Sequence, residues 1–215
     1  MKTINITNGE WFNKYFEKTY NQHGIPFNEA MMSGVAPEPI YDDDFIRIRA
    51  AENNVTVSEY EEKMALFGDF IRNTSQYEKV VLWFGADCFC RMNMITVLAL
   101  MENAGCKAKV YSAVTDDESF EIKQQPQPVY LGTWREIYRN VLQMKRRIYF
   151  GDAILDNAVE MYLDYLAPDG RFARYIKENP YKSDEELLVD IINMSADYGL
   201  SDIQIKALIK KYREQ

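Results

Sequence analysis

The sequence predicts an α/β protein: a Rossmann-like three-layer domain over residues 1–150 with a mostly parallel sheet of about four strands, then an all-helical C-terminal subdomain over residues 151–215. Three observations carry this expectation. Lys79 to Phe84 reads Lys-Val-Val-Leu-Trp-Phe, an almost unbroken apolar run between polar flanks, as in a strand covered on both faces. Residues 88–104 are apolar on nearly every side, which marks a buried helix, and Ala108 to Val114 makes a further strand. This strand–helix–strand is a βαβ unit whose crossover should be right-handed. From about Gly151 the alternation stops and the pattern is helical throughout.

The other elements follow in order. Lys2 to Thr7 alternates Ile4 and Ile6 with polar neighbours and breaks at Asn8-Gly9, predicting a short first strand. Trp11, Phe12, Tyr15, Phe16, Thr19 and Tyr20 then form one broad helical stripe, with Gly24 expected at the C′ position. Ile25 to Met32 is a candidate second strand, and the Gly and Pro of Ser33 to Pro39 predict a loop. Ser58-Glu59-Tyr60-Glu61 reads as a capping box opening a helix that turns Met64, Phe67, Phe70 and Ile71 inward. Thr115 to Pro128 is a variable stretch, after which Thr133 opens a helix to Tyr149 that buries Trp134, Ile137, Tyr138, Val141 and Leu142. In the tail, Ile154, Leu155, Ala158, Val159, Tyr162, Leu163 and Leu166 make one stripe, closed by Pro168-Asp169-Gly170. Ser183–Glu186 and Ser201–Gln204 are two further capping boxes.

Composition narrows the function classes. The 215 residues carry a formal charge of −8, with 25 Lys and Arg against 33 Asp and Glu, and a pI near 4.9. That balance opposes nucleic-acid binding, because phosphate neutralisation supplies most non-specific affinity. It equally opposes docking on anionic membranes. The acidity is densest in the tail, where residues 151–215 hold 13 acids and 8 bases. The start at Met1-Lys2-Thr3 lacks an apolar leader, no apolar stretch is long enough to span a bilayer, and the three cysteines have no disulfide spacing. A cytoplasmic protein is therefore expected.

Ile4-Asn5-Ile6-Thr7-Asn8-Gly9-Glu10 and Val81-Leu82-Trp83-Phe84-Gly85-Ala86-Asp87-Cys88-Phe89-Cys90-Arg91 together resemble the two hallmarks of a bacterial family catalogued as domain of unknown function 1835. Arg49-Ala50, and Leu131-Gly132 leading into a helix with Arg146, agree more weakly. The resemblance covers about residues 1–148 and implies a fold, but no settled activity. Three departures stand out: Glu10 replaces the family's Asp, Trp11 its Ser, and Gly85-Ala86 its Glu-His pair, leaving only Asp87 of that trio.

In an open parallel sheet, ligands bind beyond the carboxyl ends of the strands at a topological switch point. Two loops are placed there, Thr7-Asn8-Gly9-Glu10 and Gly85-Ala86-Asp87-Cys88. Amides at helix N-termini favour anions, so Thr7, Asn8, Gly9, Glu10 and Asp87 are candidates for binding an anionic small molecule or nucleotide, with a regulatory role open. The competing reading makes Asn8-Gly9 a turn and Asp87 a helix N-cap. No GxGxxG and no GxxxxGK[ST] occurs, and the sequence names no cofactor. An alternative is metal-assisted phosphoryl transfer or hydrolysis, with Glu10 and Asp87 as Mg²⁺ ligands. Asp42-Asp43-Asp44 and Asp116-Asp117-Glu118 read as solvated loops instead.

Arg135, Arg139, Lys145, Arg146 and Arg147 form the one basic island of an acidic chain, and Arg135 and Arg139 are further candidates for holding a phosphate. The competing reading is that they complement a helix dipole. Cys88 begins a helix, but Cys88-Phe89-Cys90 lacks metal or redox spacing and reads as buried thiols. A last alternative is a DNA-associated regulator acting through the helices around Gly199, with Lys206, Lys210, Lys211 and Arg213 on the final one; the local acidity opposes it.

Overall fold

The computed structural model describes residues 2–116 and 118–214. Met1, Asp117 of the second acidic run, and Gln215 at the end of the tail lie outside the described residues. The chain is α/β, with a mostly parallel sheet of five strands in the order β2-β1-β3-β4-β5. These are β1 (Thr3–Asn8), β2 (Gly24–Phe27), β3 (Lys79–Gly85), β4 (Lys109–Thr115) and β5 (Ile122–Val129). The first four run parallel, and β5 pairs antiparallel with β4.

Side-chain alternation along β3 feeds two apolar layers. Val80, Leu82 and Phe84 join the main core, while Val81 and Trp83 join Phe12 and Phe16 of α1 (Gly9–Tyr20) on the opposite face. Period-two alternation turns successive residues to opposite faces, which is why an unbroken apolar run is needed here. Helix α1 covers its face with aromatic contacts, Phe16 to Trp83 at 5.1 Å among them. On the other face lie α3 (Val57–Arg72) and α4 (Cys88–Asn103), the latter buried along nearly its whole length as its sequence predicts. The tail, α6 (Ala153–Leu166), α7 (Arg171–Glu178), α8 (Asp184–Met194) and α9 (Asp202–Arg213), belongs to that same core, from Leu155 to Tyr212. Its two capping boxes form as expected at Ser183–Glu186 and Ser201–Gln204. Among the described residues, no helix is long and apolar enough to cross a membrane.

Several local expectations are corrected. The fifth strand, β5, forms inside the stretch expected to be variable; its prolines are tolerated because it is an edge strand with one unpaired side. Strand β2 stops at Phe27 rather than Met32. Helix α1 ends on Asn21, whose φ of 50° supplies the left-handed turn expected of Gly24, and Trp11 stands 77% exposed outside the apolar stripe. The capping box of α3 sits two residues earlier than expected, at Thr56 and Glu59. Asp42-Asp43-Asp44 is not a loop: Asp42 caps α2 (Asp43–Glu52) by accepting from the Phe45 amide, and acids suit the positive end of the helix. The helix opened by Thr133 is shorter than expected, with α5 (Trp134–Tyr138) continuing as a π turn over Arg139–Gln143 before Lys145 turns to φ 53°.

Candidate functional site

The two predicted loops do meet. Strands β1 and β3 are neighbours, with Ile6 opposite Leu82, and the strand order reverses between them. Asn8 at the end of β1 reaches across to α4: its Nδ2 donates to Cys90 Sγ at 2.8 Å, and its Oδ1 accepts from Asn93 Nδ2 at 2.9 Å. Asn93 in turn donates to the Glu29 carbonyl and accepts from the Met31 amide. Gly9 takes φ 82°, and the space beside its Cα is open, as a tight strand-to-helix turn requires.

Most of these polar groups are satisfied by the fold itself. Thr7 is fully buried and donates to Asn13 Oδ1 at 2.7 Å. Asp87 is buried and caps α4, accepting from the Cys90 amide at 2.6 Å, with Gly199 of the tail packed over it. Arg91 is buried and folds back onto the Phe84 and Gly85 carbonyls at the end of β3. Glu10 lies exposed in the first turn of α1, 3.4 Å from Lys14.

Two small cavities flank Asn8. One, about 240 Å³, is lined by Phe12, Phe89, Phe120, Asp87 and Asp116 among others. The other, about 230 Å³, lies beside Gly9, Asn28 and Glu29. Glu10 lines neither, so it and Asp87 do not share a cleft there. Bonds from the Ser119 amide, Lys123 and the Ser119 hydroxyl hold Asp116 well below the usual carboxylate range. The strand edge thus presents carboxylates and aromatic rings. Among the described residues, no group of three His, Cys, Asp or Glu side chains is placed to hold a metal ion. Cys88, Cys90 and Cys106 are buried and form no disulfide among the described residues, and burial pushes the Cys88 thiol well up, consistent with an inert core thiol.

Arg135 and Arg139 lie elsewhere. Helix α4 starts beyond the carboxyl end of β3 and ends before β4, so its last turn stands at the opposite edge of the sheet. There Glu102 accepts from the Trp134 amide at 2.7 Å and ties the start of α5 to the end of α4. Next to this junction is a groove of about 430 Å³, lined by Arg135, Arg139 and Arg146 with Glu102, Gly132, Glu136, Asn140 and Met144. The basic island therefore divides. Arg147 pairs with Glu160 of α6, and Lys145 donates to the Tyr162 hydroxyl. Burial lowers the Lys145 pKa to about 8. Arg135, Arg139 and Arg146 are exposed, and among the described residues none of the three forms an ion pair.

The final helix is largely committed to packing. Ile205, Leu208, Ile209 and Tyr212 are buried, Lys206 pairs with Asp202, and Arg213 pairs with Asp184. No family model, curated protein or solved structure matches this chain.

Proposed function

We propose that this protein binds an anionic, phosphate-bearing small molecule in the groove of Arg135, Arg139 and Arg146. The observation that carries this reading is three exposed guanidinium groups lining one cavity of about 430 Å³ without an ion pair among the described residues. The planar fork of a guanidinium matches two phosphate oxygens, and a charge-assisted bond of this kind is roughly twice as strong as a neutral one. Glu102 and Glu136 share the groove without pairing with its three arginines, so the lining keeps a net positive charge in a chain of formal charge −8. The strand edge supports an anion less well, because Asp87 and Asp116 line its cavity and, among the described residues, no Lys or Arg does, whereas three arginines outnumber Glu102 and Glu136 in the groove. The polar atoms neighbouring the strand edge are also occupied. We further propose, on the resemblance of residues 4–10 and 81–91 alone, that the α/β part is a divergent member of the family those segments resemble.

Thermal denaturation of the full chain with inorganic phosphate, pyrophosphate and nucleotides, with and without Mg²⁺, tests the reading. A ligand that binds only the folded state raises Tm by mass action, and the rise is expected without Mg²⁺. Replacing Arg139 by Ala should weaken binding about 10- to 100-fold, the equivalent of ~1.5–3 kcal/mol for a bond to a charged group. A rise that requires Mg²⁺, survives Arg139→Ala and is lost in Asp87→Asn would move the function to the strand edge.

A further inference from the structure

The arginine groove does not end at its own rim. Glu102 and Gly132 also border a larger cavity of about 630 Å³, walled by Lys107, Lys109 and Tyr111 on one side and by Pro128, Val129 and Tyr130 on the other. The pairing of β4 with β5 builds these walls, setting Tyr111 opposite Pro128 and Val110 opposite Val129. Gly132 takes φ 146°, and nothing lies within 4 Å of where its Cβ would stand, so this shared position has open space in place of a side chain.

The two cavities differ in chemistry. The first is guanidinium-rich. The second offers the ring of Tyr130, 83% exposed, beside the exposed ammonium groups of Lys107 and Lys109. Tyr111 also borders this cavity, but its ring packs with the aromatic cluster on the α1 side of the sheet and already carries Lys79 4.8 Å from its centre. Among the described residues neither Lys107 nor Lys109 forms an ion pair. Each cavity falls within the usual size of a small-molecule site, and together they exceed what a phosphate group fills.

We propose that the ligand is a nucleoside phosphate whose phosphates sit among Arg135, Arg139 and Arg146 and whose base lies across Gly132 against Tyr130. This rests on the arginine groove as the anion site and adds the class of molecule. Every nucleobase has a π face, so stacking on tyrosine admits any of them and is worth about tenfold to a hundredfold in affinity per base. Lys107 and Lys109 line the same cavity as Tyr130 and add positive charge there. Glu102, which borders both cavities, has its carboxylate held by the Trp134 amide.

Calorimetric titration of the full chain with pyrophosphate and with adenosine and guanosine diphosphates separates the two claims. The diphosphonucleosides are expected to bind at least tenfold more tightly than pyrophosphate. Tyr130→Ala should abolish that difference and leave pyrophosphate binding unchanged, while Tyr130→Phe keeps it. Tyr130 is exposed, so the variant should melt as the parent does, which the same samples check. Arg139→Ala should weaken all three ligands. If pyrophosphate binds and the nucleosides add nothing, or if Tyr130→Ala changes nothing, the nucleoside assignment fails and the arginine groove stands. If none of the three binds, both fail.

Discussion

At the scale of single residues, the most consequential charge is one that sequence alone does not reveal. Glu29 and Arg49 are both buried and face each other, with Arg49 Nη2 donating to Glu29 Oε2 at 2.6 Å. Burial would lower the arginine's pKa, and the Glu29 carboxylate more than reverses this. Arg49 also donates to the carbonyls of Ala30, Ser33 and Val35, while Asn53 donates to Glu29 Oε1. One side chain therefore organises an irregular segment that has few backbone bonds of its own. Removing one partner of a buried pair strands the other, at a typical cost of ~3–5 kcal/mol. Arg49→Met should lose about that much in urea denaturation, and Arg49→Lys should recover little, because an ammonium cannot span the same fork of acceptors. A loss below ~1 kcal/mol for Arg49→Met would show that the network is dispensable. Arg49 is legible in the sequence only through the family resemblance, and Glu29 not at all, since nothing in a linear pattern distinguishes a buried carboxylate from an exposed one.

Elements were legible where burial on all sides leaves a compositional trace. Strand β3 and helix α4 stand where their apolar runs place them, and Asp87 caps α4 as one of the two competing readings has it. Elements whose sequences are polar or ambiguous were not legible. Strand β5 reads Ile-Lys-Gln-Gln-Pro-Gln-Pro-Val, and only pairing with β4 holds it extended. Helix α2 was hidden behind three aspartates that look like a solvated loop until the first is seen to cap. The cap at Asp87 makes a separate prediction. Asp87→Ala should destabilise the chain by ~0.5–2 kcal/mol, and Asp87→Asn by less, because Asn also accepts from the N3 amide. Gly199→Ala should also destabilise, since its φ is 66° and a Cβ there would lie 2.7 Å from Asp87 Oδ1. Thermal melts of the three variants check both statements; equal melts for Asp87→Ala and the parent would remove the cap from the account.

At the scale of the molecule, the charge acquires a location. The acid-rich tail packs its apolar stripes onto the core, while Lys107, Lys109, Arg135, Arg139 and Arg146, without an ion pair among the described residues, line the two cavities at the far edge of the sheet around Glu102 and Gly132. Arg135, Arg139 and Arg146 were visible as an island because they share one short stretch of chain. Lys107, Lys109, Tyr111 and Tyr130 were not, because β4–β5 pairing assembles them from separate segments. The same long-range packing joins the tail to the rest. Leu155, Val159 and Tyr162 of α6 are buried in one core cluster with the residues of α4, and Cys88 Sγ donates to the Ala158 carbonyl at 3.3 Å. Burying each such side chain contributes roughly 1.5–3 kcal/mol, so these three alone are comparable with the ~5–15 kcal/mol net stability of a typical domain. A chain ending at residue 150 would expose the face of α4 that α6 covers. It should lose its cooperative thermal transition, bind a hydrophobic dye and self-associate, as circular dichroism and size-exclusion chromatography would register. A truncated chain that stays monomeric and melts cooperatively would instead make residues 1–150 an autonomous unit, with α4 stable against water on the side where α6 now lies.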